Sequence, residues 1–274
     1  MMHEKKSVNI LLEVLLWLFS LVIIYPLGMV LMTSFKAYGE SNILSIKPPT
    51  AWMFSNYAEV WEKGKIFQSL LNSTYITVFS VILILLFASM LSYIVVRRRN
   101  RFNRFISKFL TFGIIAPFAA LPTVQMLKLM GIYGTRTSLV LIYAAIYLPF
   151  TSMLFSSFIV GIPRELDEAA VIDGCTGFSL FIRIIMPLLK PVTATTGILN
   201  FMWEWNDFQY PMYLLNTSSK YTLPMSIYSF YGTFNRSWNL VCADMVLVSL
   251  PVILLYLFAQ KYIIAGMTAG AVKG

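Results

Sequence analysis

Six stretches of this chain are long and apolar enough to cross a bilayer, and they constrain its fold more than any other feature. A membrane-spanning helix needs about 20 predominantly apolar residues. The stretches 10–32, 69–96, 106–126, 138–160, 192–215 and 241–263 meet that length. Inside lipid, only helices and closed barrels satisfy every backbone hydrogen bond, and long runs without alternation specify helices. The expected fold is therefore all-α, a polytopic membrane protein with six transmembrane helices. The first stretch is too long for the apolar part of a signal peptide, and no small-residue cleavage site follows it, so it reads as a retained helix.

Composition narrows the function. Charged residues make up 12% of the chain, about half the usual share in a soluble domain. The net charge of +9 lies beside the apolar stretches and not on one polar face, so no nucleic-acid partner is expected. Cys175 and Cys242 sit far apart, and the single histidine, His3, lies near the terminus. Neither a disulfide framework nor a metal site is expected. The short loop "RRRNRFNR" (97–104) fixes the orientation, because positive charge in short loops resists translocation. It places Arg97, Arg98, Arg99, Arg101 and Arg104 in the cytoplasm, with both termini and the loop 161–191. Lys36 falls on the opposite side. No internal repeat relates the two halves, which weighs against an inverted-repeat secondary transporter.

That loop holds the stretch "RELDEAAVIDGCTGFSLFIRIIMPLLKP" (164–191). Glu165, Asp167 and Glu168 suit the positive N-terminal end of a short helix. Ala169 and Ala170 add helix propensity with little bulk, and Gly174 and Gly177 end the helix. A second helix follows, with Phe178, Phe181, Ile182 and Ile185 at helical spacing, until Pro187 and Pro191 break the chain. An amphipathic helix lying on anionic lipid would present a basic face, whereas this one is acidic. A catalytic carboxylate pair would need a nucleophile or histidine beside it. The segment reads best as a docking surface for a partner protein.

The residues "EAAVIDG" (Glu168 to Gly174), nine more, then "IIMP" (Ile184 to Pro187) resemble the signature of permease subunits of bacterial ATP-binding-cassette importers. The usual pattern has leucine where Met186 stands, a conservative exchange. "FSNYAEVW" (54–61), "EWNDFQYPMYLL" (204–215) and "AGMTAGAVKG" (265–274) are similar to the shorter, six-helix permease of the maltose-type carbohydrate importers. The resemblance implies one permease domain over 1–274 in the bacterial cell membrane. Its loop 161–191 would carry a cytoplasmic coupling helix, and residues 265–274 would form a cytoplasmic tail. It also implies a second, homologous permease, two ATPase subunits, an extracellular solute-binding protein, and a sugar or oligosaccharide as cargo. The chain would not be an enzyme. It has no G-x-x-x-x-G-K-[ST] phosphate loop, so ATP and Mg²⁺ would be bound by the partner ATPases.

Residue by residue, the resemblance assigns Glu168, Ala169, Ala170, Asp173, Gly174 and Pro187 to the ATPase-coupling surface. Thr268, Gly270, Lys273 and Gly274 would contact the ATPases from the tail. Tyr231, Phe234, Asn235, Trp238 and Asn239 would belong to an external loop that enters the binding protein. Candidates for the substrate pathway are Asn200, Trp203, Glu204, Asn206, Asp207 and Tyr210, since aromatic rings beside amides and carboxylates suit sugars. The plainer reading of the same group is an interfacial aromatic belt with interhelical hydrogen bonds. Because "WNDF" looks family-wide whatever the sugar, Glu204 and Asp207 are expected to act structurally or in gating. Asp244 is expected to be solvated at the end of the sixth span. Two other readings stay open: a permease for a non-sugar solute such as a glycerol phosphate ester, and a proton-coupled secondary transporter using Glu204 and Asp207.

Overall fold

The computed structural model describes the backbone of residues 2–98, 100–231 and 237–271, and their side chains except at 2–11, 14, 259 and 261–271. Twelve helices follow one another among them: α1 (Met2–Ser34), α2 (Ser55–Lys63), α3 (Ile66–Arg97), α4 (Arg101–Ile115), α5 (Ala120–Leu129), α6 (Arg136–Val160), α7 (Glu165–Ile172), α8 (Gly177–Leu180), α9 (Met186–Leu188), α10 (Lys190–Asn206), α11 (Gln209–Leu214) and α12 (Trp238–Ala271). Segments Leu15–Ser34, Ile66–Arg97, Arg136–Val160 and Trp238–Phe258 are each long and apolar enough to span a membrane. Two bent pairs bring the number to six when each pair is one span. The all-α expectation holds, with two of the six spans broken.

The first break falls in the stretch 106–126, read above as one continuous span. Helices α4 and α5 meet at 119°. Pro117 is the cause: the residue before a proline is driven out of the helical region, and Ala116 is extended at φ −64°, ψ 124°. The stretch 192–215 is interrupted as well, at a place other than the bend of the second pair. Helix α10 stops at Asn206, Asp207 is extended at φ −73°, ψ 129°, and α11 begins two residues later. The bent pair that reaches span length here is instead Gly177–Leu188 with Lys190–Asn206, at 76°.

The chain divides into two compact units. One comprises residues 1–67 and 226–251, and polar side chains knit it together. Asn56 donates to the carbonyls of Ser34 (2.8 Å) and Lys36 (2.9 Å) and accepts from Asn239 (3.1 Å). Lys36, in the loop after α1, is buried and donates to the carbonyl and hydroxyl of Ser45. Asp244, expected to be solvated, is instead buried and accepts from Ser226 at 2.7 Å. At both positions nearby hydroxyl or carbonyl groups replace the water the charge would otherwise need.

The other unit comprises residues 68–225 and 252–274 and has two apolar centres. Ile76, Leu139, Tyr143 and Leu214 anchor the first. Ala88, Phe155, Ile159, Ala170, Phe181 and Ile185 anchor the second. Small and polar residues let the long helices approach closely: Ser92 on α3 donates to the Ser152 carbonyl on α6 (2.8 Å), and Asn200 on α10 donates to Thr151 Oγ1 on α6 (3.0 Å).

Candidate functional site

The loop between α6 and α10 forms the first candidate surface. Helix α7 opens with Glu165, Asp167 and Glu168 in its first turn and ends in a paired cap. The Gly174 N–H bonds to the Val171 carbonyl (3.0 Å) and the Cys175 N–H to the Ala170 carbonyl (2.9 Å), with Gly174 at φ +81°. This left-handed closure is the reason for glycine there. Gly177 does not end α7 as expected: it opens α8 behind the extended Thr176. The chain then widens into a π turn, Phe181–Ile185, where the Met186 N–H reaches back five residues to the Phe181 carbonyl. Pro187 follows, and its ring clashes with a carbonyl four residues earlier in an ordinary helix. The wider turn relieves that clash.

Of the residues assigned to this surface, Glu168, Ala169, Asp173, Gly174 and Pro187 are exposed. Ala170 is not. It is 5% exposed and packs into the second apolar centre, because a methyl group is all that the approach of α7 to that centre admits. The surface also carries features that the sequence reading left out. Val171, Ile172 and Phe178 are 61%, 85% and 67% exposed beside the acids of α7, while Phe181 and Ile185 face inward. Beneath α7, Arg97 at the end of α3 forms an ion pair with Asp167, Nε to Oδ2 at 2.6 Å. Nothing local in the sequence pairs residues so far apart.

A second candidate site lies where α10 breaks. A cavity of about 680 Å³ is lined by Tyr147, Phe150, Trp203, Asn206, Asp207 and Tyr210, among others. Trp203 stacks on Tyr147 (5.5 Å, 27°) and meets Phe150 edge-on (5.4 Å, 63°). Asp207 accepts from the Tyr143 hydroxyl (2.7 Å) and from the backbone N–H groups of Gln209 and Tyr210. Its backbone N–H caps α10 on the Glu204 carbonyl, while its carboxylate holds the first N–H groups of α11.

Four of the six pathway candidates therefore share this cavity. Glu204 and Asn200 point elsewhere: Glu204 is buried and accepts from Ser80 on α3, and Asn200 bonds to Thr151. Glu204 is in the last turn of α10, whereas Asp207 lies just past the helix end. Tyr143, Tyr147 and Phe150 were missed, although their spacing of four and three on α6 marks one helix face.

Of the loop residues, Tyr231 is exposed and meets Trp238 edge-on (5.9 Å). Asn239 is buried against Asn56, so it holds the start of α12 in place and does not extend a loop tip. Phe234, Asn235, Lys273, Gly274 and Arg99 lie outside the described residues. Thr268 and Gly270, which the resemblance assigned to a cytoplasmic tail, belong to the backbone of α12.

Residues 85–269 match the family described as binding-protein-dependent transport system inner membrane component, and the chain belongs to that family. It is a multi-pass membrane permease component. It is 36% identical over 252 residues to the melibiose/raffinose/stachyose import permease protein MelC of Bacillus subtilis, covering 91% of each chain. It is 33% identical over 276 residues to a probable starch degradation products permease protein, AmyC, of Thermoanaerobacterium thermosulfurigenes, covering 99% and 98%. Its fold is similar to a chain in the crystal structure of a bacterial ABC transporter involved in import of the acidic polysaccharide alginate. The TM-score there is 0.82 at 23% identity, covering 94% of this chain and 96% of the other.

Proposed function

We propose that this chain is one permease subunit of an ATP-driven importer for a sugar or oligosaccharide delivered by an extracellular solute-binding protein. A second permease would complete the pathway, and two separate ATPases would bind ATP and Mg²⁺ and drive alternating access. Both termini and α7 face the cytoplasm on this reading, which the basic loop 97–104 supports.

One observation carries it: α7 is rigidly capped and held from beneath, yet displays Glu168, Ala169 and the largely uncovered Val171 and Ile172. Apolar side chains exposed on a polar-side helix mark a protein contact. The sugar-import names of MelC and AmyC support the cargo, as does a cavity in which Trp203 offers a stacked ring beside Asn206 and Asp207.

The test is co-purification of the ATPases with the wild-type permease pair and with Glu168→Lys and Gly174→Asp. Loss of the ATPases from both variants, with the permease pair intact, supports the coupling surface. Retained ATPases and undiminished uptake overturn it.

A further inference from the structure

Helix α7 is only eight residues long, so whatever it transmits must leave through a few contacts. Its inward face has two kinds. Ala170 offers a methyl group to the second apolar centre, and Asp167, three residues earlier and on the same face, meets Arg97. The Arg97 and Asp167 side chains are 10% and 18% exposed. Arg97 is the last residue of α3. Its Nη2 also donates to the Ile162 carbonyl at 3.1 Å, in the turn by which the chain leaves α6. One guanidinium therefore joins three elements: the end of α3, the exit of α6 and α7. Asp167 Oδ1 and Arg97 Nε are both buried without a hydrogen-bond partner, so the contact between the two side chains is an ion pair, and the charge of Arg97 supplies the compensation for this carboxylate.

The two contacts respond differently to force. A methyl group against apolar side chains lets a helix slide or roll, because dispersion contacts are non-directional and small. A guanidinium is a planar fork that reaches two partners at once, here the Ile162 carbonyl by a hydrogen bond and Asp167 by opposite charge, and little water screens a pair this buried as it is pulled apart. Lysine in its place would keep the charge but has no fork with which to hold Asp167 and Ile162 together.

We propose that Arg97 and Asp167 are positioning residues for energy coupling: their clasp makes α3, the α6 exit and α7 move as one body, so that displacement of α7 reaches both long helices. This rests on the reading of α7 as the ATPase-docking helix, and it adds the route by which the displacement enters the membrane. Docking itself belongs to the outward face, with Glu168 and Ala169. The clasp faces inward, so its loss should spare docking and hydrolysis while it impairs transport.

The experiment uses the assembled complex in proteoliposomes, with both permeases, both ATPases and the sugar-loaded binding protein. ATPase retention, ATP hydrolysis and sugar uptake are measured together for wild type, Arg97→Lys, Asp167→Asn and Asp167→Glu. The expected result is that the variants keep their ATPases and hydrolyse ATP at nearly the wild-type rate. Sugar moved per ATP falls about tenfold in Arg97→Lys and Asp167→Asn, well within what a coupling free energy can supply, and recovers in part in Asp167→Glu. A purely structural salt bridge would lower the amount of assembled complex without changing that ratio.

An unchanged ratio in the assembled variants overturns the proposal, and so does release of the ATPases from them. Should Asp167→Asn fail to assemble, Arg97→Lys and Asp167→Glu, which keep both charges, decide the matter by the same ratio. A wild-type complex that retains no ATPase removes the reading of α7 itself and this proposal with it, an outcome distinct from a fully coupled variant.

Discussion

The Tyr143 hydroxyl donates to Asp207 Oδ2 at 2.7 Å, joining the first third of α6 to the residue just past the end of α10. Asp207 keeps two backbone donors, from Gln209 and Tyr210, when that hydroxyl is removed. Tyr143→Phe is therefore expected to lower stability by about 0.5–1.7 kcal/mol, the range for interhelical hydrogen bonds in membrane proteins. Asp207→Ala removes the cap of α11 as well and should lower it further. Denaturation in detergent, followed in parallel for the two variants, checks the order.

Ala169 and Ala170 are neighbours with opposite surroundings, one exposed and one buried. Ala170→Leu overpacks the second apolar centre and is expected to destabilise the permease by about 1–3 kcal/mol. Ala169→Leu should leave stability nearly unchanged and instead reduce ATPase retention. Thermal unfolding and pull-down, measured on the same preparations, separate the two effects; equal behaviour of the two variants would contradict the assignment of faces.

Gly174 stands at φ +81°, and a Cβ there would meet nothing within 4 Å. Any penalty for a side chain is therefore conformational and not steric. Gly174→Ala should cost about 1–2 kcal/mol, and Gly174→Asn less, because asparagine tolerates the left-handed region. Equal losses for both would contradict that account.

Asp244 is buried with a hydroxyl partner at Ser226. Asp244→Asn keeps an acceptor of similar shape and removes any buried charge, so it is expected to be neutral or stabilising. Asp244→Leu leaves the Ser226 contact unmade and should destabilise by about 1–3 kcal/mol. Chemical denaturation of the three proteins gives the ranking.

Trp203 offers its ring to the cavity between Tyr147 and Phe150. Trp203→Ala should raise the sugar concentration needed for half-maximal uptake about tenfold or more, as loss of a large aromatic contact predicts, while Trp203→Phe retains much of it. Uptake with the sugar concentration varied at one fixed concentration of binding protein measures this.

Much of this architecture was legible because lipid imposes a length rule: α1, α3, α6 and α12 occupy the stretches the hydropathy marked. The breaks were harder to read. Pro117 sits in an apolar run that differs little from the tolerated prolines inside α6 and α12, Pro149 and Pro251, and only its neighbours' backbone decides whether the helix bends or stops. Asp207 read as a charge inside a span, whereas it is the residue that ends one. In the loop 161–191, spacing exposed the motif, but which of two adjacent alanines faces inward depends on a long-range contact. Asp244 was misplaced because a charge near the end of a span looks solvated, and its partner Ser226 stands 18 residues earlier, outside any local pattern. The partners of Arg97 and Glu204 lie tens of residues away, beyond any local pattern.

The Asn56–Asn239 contact has a further consequence, for the order in which the protein is made. Its two residues are 183 apart, so at about 5–20 residues per second roughly 10–40 s of synthesis separates their emergence from the ribosome. Throughout that interval the carbonyl oxygen of Asn56 awaits a donor carried by the last helix, although its own N–H groups can already hold the end of α1. The first quarter of the chain thus reaches its final bonding pattern only when α12 has been inserted, and a chain cut short before Trp238 carries the defect at its opposite end.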